Sequence, residues 1–141
     1  MGKTYFDHEK LRAYQEAVRF VAFADVIIEE LPSKVAARDQ LDRAATSIVL
    51  NIAEGNGKRS HTDRCRFLDI ARGPALECAA CLDVLVVKNR LTDERAAEGK
   101  QMLIGIVSML VGLLSTFGAQ LEEAGAGYEL SSPGDHEHGH A

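Results

Sequence analysis

The stretch Gln40 to Ser60, QLDRAATSIVLNIAEGNGKRS, constrains the fold of this chain more than any other. Leu41, Ala45, Ile48 and Ile52 recur at helical spacing and make one core-facing stripe. A second file, Arg43, Ser47, Asn51 and Glu54, runs at the same period on another face. Leu50 lies beside that file and Val49 and Ala53 lie elsewhere, so little of the surface from Ala44 to Ala53 suits water. A helix apolar on most sides, with one short polar file, is expected to be buried on more than one side. Gly55 is the expected stop, because glycine takes the left-handed conformation past a helix end without steric cost.

The remaining helices follow from caps and breakers. Helix one is expected to start at Asp7 as N-cap, with Phe6 and Leu11 as a hydrophobic staple, and to end before Pro32. Helix two runs from about Lys34 to Glu54. Helix three opens at Ser60-His61-Thr62-Asp63, an approximate capping box, and carries the stripe Leu68, Ala71, Ala75, Cys78, Leu82 and Leu85. Gly73-Pro74 interrupts it, and a proline there removes one backbone bond, so a kink is expected, with a break into two helices as the alternative. Helix four is capped by Thr92, carries Asp93 and Glu94 in its first turn and reaches about Glu123. The short connections around Pro32, Gly55 to Arg59 and Asn89 to Leu91 make sequential helices antiparallel neighbours. The fold class is all-α: an up-down-up-down four-helix bundle over residues 1–123, followed by a disordered acidic tail over residues 124–141.

A chain of 141 residues is expected to form one domain. Its net charge of -5 is carried by Glu122, Glu123, Glu129, Asp135 and Glu137, which leaves the body balanced and without a net pull toward nucleic acid. The start MGKTYFDHEK has no apolar run behind a basic segment, so no signal peptide is expected. Three cysteines in this composition fit a reducing cytoplasm. From Gln101 to Leu121 there is no charge, which is long enough to cross a bilayer. Polar residues and glycines interrupt that run, so it reads as a helix buried between two neighbours; a membrane span over residues 102–121 is the alternative. Helices one, two and four carry more apolar surface than a lone bundle core needs, so a homo-oligomer is expected.

Candidate chemistry is sparse. The file Arg43, Ser47, Asn51 and Glu54 reads as a polar network that fixes helix register or subunit contacts, rather than as a site lining. Cys78-x-x-Cys81 supplies half a metal site without a second ligand pair, so it reads as core packing, with no metal and no cofactor. The tail histidines His136, His138 and His140 read as a flexible tract. Gly55 to Ser60 lacks the spacing of a phosphate loop. Lys58, Arg59 and Arg64 nonetheless surround the amides at the start of helix three, an anion-favouring arrangement that Asp63 opposes. No nucleophile, base or cofactor set assembles, so no enzyme is expected.

The runs Leu11-x-x-Tyr14-Gln15-x-Ala17, Gln40-Leu41-x-Arg43-Ala44-Ala45-x-Ser47-Ile48, Asn51-Ile52-Ala53-Glu54-Gly55 and Phe67-Leu68-x-Ile70-Ala71-Arg72-Gly73, with Glu77, resemble the bacterial four-helix-bundle family, also called the 23S ribosomal RNA intervening-sequence protein family. That resemblance covers roughly Phe6 to Leu121. It implies an antiparallel bundle that assembles into a ring, commonly a pentamer. Relatives serve as accessory subunits of the reverse transcriptase of diversity-generating retroelements and bind that enzyme and nucleic acid through basic surfaces. The family has no catalytic residues to carry over, and Gln15, Gln40, Arg43, Ser47, Asn51, Glu54 and Glu77 match it as architectural positions. Pro74 departs from the pattern, as does the neutral body. The expectation is a cytoplasmic, non-enzymatic, ring-forming scaffold that docks a protein, RNA or DNA partner.

Overall fold

The computed structural model describes residues 6–123, with side chains as far as Thr116. It is all helical. A 3-10 turn, Asp7–Lys10, leads into α1 (Arg12–Glu29), α2 (Ala36–Asn56), α3 (His61–Ile70), α4 (Arg72–Val87) and α5 (Asp93–Glu123). Segments α3 and α4 together make the third of four bundle helices. Each bundle helix packs on the one before and the one after it, and α5 closes the bundle against α1. The tail expected over residues 124–141 lies outside the described residues.

The apolar stripes form one core. Phe20, Ile27, Leu41, Ile48, Ile52, Leu68, Leu82, Leu85, Ile106 and Leu110 are fully buried. Each such side chain contributes about 1.5–3 kcal/mol of burial. The stripe expected on the third helix, Leu68 to Leu85 through Ala71, Ala75, Cys78 and Leu82, is buried throughout.

Several boundaries differ from the sequence reading, each for a local reason. Asp7 does not cap α1. Leu11 is extended and takes the N-cap position, while the Gln15 side chain donates to the Glu9 carbonyl and ties the 3-10 turn to the helix. Helix two begins at Ala36, and Arg38 Nε donates to the Ile28 carbonyl, which also accepts from Leu31 N, so the start of α2 is tied to the end of α1. Gly55 does not end α2. The helix runs on to Asn56 with Gly57 as a right-handed C-cap, and Gly55 is buried inside it. A Cβ on Gly55 would stand 2.8 Å from Phe67 Cβ and 3.4 Å from the Arg64 carbonyl oxygen. Glycine is there because α2 and α3 approach too closely for any side chain.

The third helix is divided into two, the alternative expected to a kink, and the interruption falls at Ala71, three residues before Pro74, with Ala71 itself still right-handed. Pro74 falls in the first turn of α4, where its missing N–H has no intrahelical acceptor to lose. Arg72 reaches back across the interruption to Asp69 at 3.0 Å. Further along, Asn89 takes a φ of 59° at the end of α4, and the Arg90 N–H closes onto the Leu85 carbonyl. Asparagine is among the few residues that tolerate this geometry. Two caps match the sequence reading: Ser60 Oγ accepts from Asp63 N at 3.0 Å and Thr92 Oγ1 from Arg95 N at 3.2 Å.

Candidate functional site

The sequence-selected polar residues do not gather into one cluster. Along α2, Asn51 Nδ2 donates to the Ser47 carbonyl and to Ser47 Oγ, at 2.9 and 3.1 Å, so these two serve each other within the helix. Arg43 and Glu54 are exposed, and so are Gln40 and Glu77. Leu50 stands among them with 58% of its surface exposed. The burial on several sides expected for α2 is therefore not reached within one chain: its inner stripe is covered and this outer face is open.

The turn between α2 and α3 does bring chemistry together. Lys58 Nζ lies 3.8 Å from a Glu54 carboxylate oxygen, one helical turn back. Arg64 Nε donates to the Lys58 carbonyl at 2.8 Å, pinning the turn to α3. Arg59 projects from the turn and is exposed. Of the three cations expected to surround the start of α3, Arg64 thus holds the backbone and Lys58 and Arg59 present charge outward.

Two residues of this corner, Arg66 and Phe67, are not among the site candidates read from the sequence. The half-buried Phe67 has Lys58 Nζ 4.7 Å from its ring centroid and Arg66 Cζ 4.9 Å from it. Arg66 also lies 3.8 Å from Asp63. Lys58, Arg59, Arg64 and Arg66 therefore outnumber the acids Glu54, Asp63 and Asp7 at this corner, Asp7 being held there by Asn56 Nδ2 at 3.4 Å. The adjacent Arg66-Phe67 pair, one helix turn past a basic loop, is the signal that would have found it.

The cysteines belong to the interior. Cys65, Cys78 and Cys81 are buried and unbridged. Burial pushes the Cys78 thiol up to about 12, with Cys81 and Glu77 adding to it. Burial also pushes Cys65 up to about 11, with Asp69 adding. Cys81 moves the same way, through burial and then Glu77. Thiols held protonated in this way are poor nucleophiles and poor metal ligands near neutrality.

An uncovered apolar surface runs along α5. Ala96, Gly99, Leu103, Ile106 and Leu110 make its buried inner stripe. Its outer face exposes Ile104 and Val111, 59% and 46% accessible. Gly105 and Gly112, seven residues apart and so nearly in line, have nothing near the place a Cβ would occupy. Gly99 is the opposite case: a Cβ there would meet the Phe23 ring and Leu82 at 2.7 and 2.8 Å. Among the described residues one helical stretch, Asp93–Thr116, is long and apolar enough to cross a membrane, and only 22% of its most apolar window is buried. The apolar run is thus covered by its neighbours on one side only.

A family model described as 23S rRNA-intervening sequence protein matches residues 9–112. A crystal structure of a protein of unknown function from the S23 ribosomal protein family of Bacteroides thetaiotaomicron VPI-5482 superimposes with a TM-score of 0.68 at 22% identity. The match covers 72% of this chain and 97% of that one, and it is a likeness of fold. No curated protein matches the chain.

Proposed function

The chain belongs to the 23S rRNA-intervening sequence protein family, and on that premise we propose that it is a non-enzymatic scaffold whose copies assemble through their outer helix faces into a ring and dock a protein or nucleic-acid partner. The observation that carries this reading is the outer face of α5. Glycine in an exposed helix interior costs about 1 kcal/mol relative to alanine. Gly55 and Gly99 have a reason inside the chain, since a neighbour sits where a Cβ would go. Gly105 and Gly112 have none there, and they lie beside exposed Ile104 and Val111 on a stretch without charge. A face that is small, apolar and uncharged suits the close approach of another helix with the same character. A second copy supplies one.

If the copies close a ring, each contributes its own Lys58/Arg59 corner, and contacts that are weak singly add through multivalency. The family name refers to an intervening sequence of 23S rRNA, which makes RNA the first partner to try.

Sedimentation equilibrium of the full chain tests the assembly. The expected result is a mass several times that of one chain, falling to one for Gly105→Leu/Gly112→Leu, with helical content unchanged. A wild-type protein that remains single at micromolar concentration removes the reading. The length of α5 favours one alternative, association with a membrane through residues 102–121. Recovery of the protein with the membrane fraction, released only by detergent, would establish that alternative in place of the ring.

A further inference from the structure

We propose that Phe67 is a positioning residue, holding Lys58 and Arg66 over one ring as a paired contact for the phosphodiester backbone of a nucleic-acid strand. The inference rests on the reading above that this corner docks a partner, and it adds the residues and the ligand chemistry.

The two cations come from different elements, Lys58 from the turn after α2 and Arg66 from α3, and both lie over the Phe67 ring. The base of the ring lies close to α2, since a Cβ on Gly55 would stand 2.8 Å from Phe67 Cβ, and Arg64 Nε donates to the Lys58 carbonyl and holds the turn. Long cationic side chains lose rotamer freedom when they bind, and a ring whose negative quadrupole already attracts both reduces that loss. Arg59, next to Lys58 and exposed, extends the row.

Glu54 and Asp63 stand 3.8 Å from Lys58 and Arg66, long for ion pairs, and on exposed side chains. Pairs of this kind contribute little in water, so a phosphate can share or displace them. A strand presents phosphates one after another, which matches cations set side by side. An acidic protein surface offers no such regular row, and carboxylates favour the bidentate fork of a single arginine.

The test is fluorescence anisotropy with a single-stranded RNA oligonucleotide, a DNA strand of the same sequence and polyglutamate, across a salt series. The proteins are the full-length wild type, Phe67→Leu, Phe67→Tyr, Arg66→Ala, Lys58→Ala and Lys58→Ala/Arg59→Ala. Losing both ring contacts in Phe67→Leu should weaken strand binding about fivefold to tenfold. Phe67→Tyr, which keeps the ring, should stay within about twofold of wild type. Arg66→Ala should flatten the salt dependence by roughly 0.7 in slope, one phosphate contact on a single strand. A structural role for the ring would move thermal stability and leave that slope alone. Wild-type affinity in a folded Phe67→Leu, with Lys58→Ala/Arg59→Ala weakened, overturns the Phe67 role and leaves the docking reading standing. Should Phe67→Leu fail to fold, unequal losses in Arg66→Ala and Lys58→Ala overturn the pairing instead. Absence of strand binding by wild type, or equal binding by Lys58→Ala/Arg59→Ala, removes the docking corner itself. Tighter binding of polyglutamate than of either strand overturns the nucleic-acid assignment.

Discussion

Gly55 and Phe67 stand so close that the Cβ glycine lacks would lie 2.8 Å from Phe67 Cβ. Neither atom can rotate away, because one would be rooted in the backbone of α2 and the other is rooted in that of α3. Gly55→Ala is therefore expected to destabilise the chain by about 1–3 kcal/mol, even though alanine is the better helix former. Denaturant midpoints of the purified variant check this.

Gly99→Ala is expected to cost less. Its added Cβ would meet the edge of the Phe23 ring and a methyl of Leu82, the far ends of side chains that can turn aside. A loss below about 1.5 kcal/mol is expected, with Gly55→Ala the more damaging of the two in the same urea titration.

Gly105→Ala has the opposite sign. Nothing lies within 4 Å of the added atom, so the helix gains up to about 1 kcal/mol of propensity. Thermal unfolding at a concentration low enough to separate the copies should show a higher midpoint than wild type.

Ser60→Ala removes the oxygen that accepts from Asp63 N at 3.0 Å. Loss of such a cap costs about 1 kcal/mol. Ser60→Asp, which restores an acceptor at the same place, should recover most of that loss in the same chemical-denaturation measurement.

Stability should fall in alkali. The thiols of Cys65 and Cys78 are raised from an ordinary 9.0 to about 11 and about 12 by burial. In the unfolded chain they ionise near 9.0, so above that pH unfolding releases protons that the folded chain retains. Their contribution is complete below pH 9 and is lost progressively as pH rises toward 12. Urea midpoints should be level with respect to these groups up to pH 8.5 and decline beyond it. The decline should be shallower in Cys78→Ala, and the same slope in both proteins would assign the effect to other groups.

Much of the architecture was legible because a period of 3.6 writes itself directly into the order of residues. Leu41, Ala45, Ile48 and Ile52 could be read as a buried stripe, and so could Leu68 through Leu85, because burial on one face leaves that spacing and little else does. Gly55 was misread because a single residue type serves two purposes, a left-handed helix end and a close approach, and the choice depends on what lies across from it. Phe67 lies across from it, twelve positions away. The interruption near Pro74 was foreseeable as a break but not to the residue, since a proline acts on the turn before it and the helix divides at Ala71. The basic corner was half visible. Lys58, Arg59 and Arg64 were found as charges near a helix start, but the ring under Lys58 and Arg66 joins residues from both sides of a turn, and periodicity carries no record of that.

Packing each helix against its sequence neighbours has a consequence in time. Most of the interior can close through short chain excursions, the kind of topology that folds in microseconds to milliseconds. Meeting another molecule depends instead on concentration and is slower. On the proposed assembly, a newly made subunit is expected to reach its final shape with the lane along Gly105 and Gly112 still wet, and to search for its companions as a finished piece.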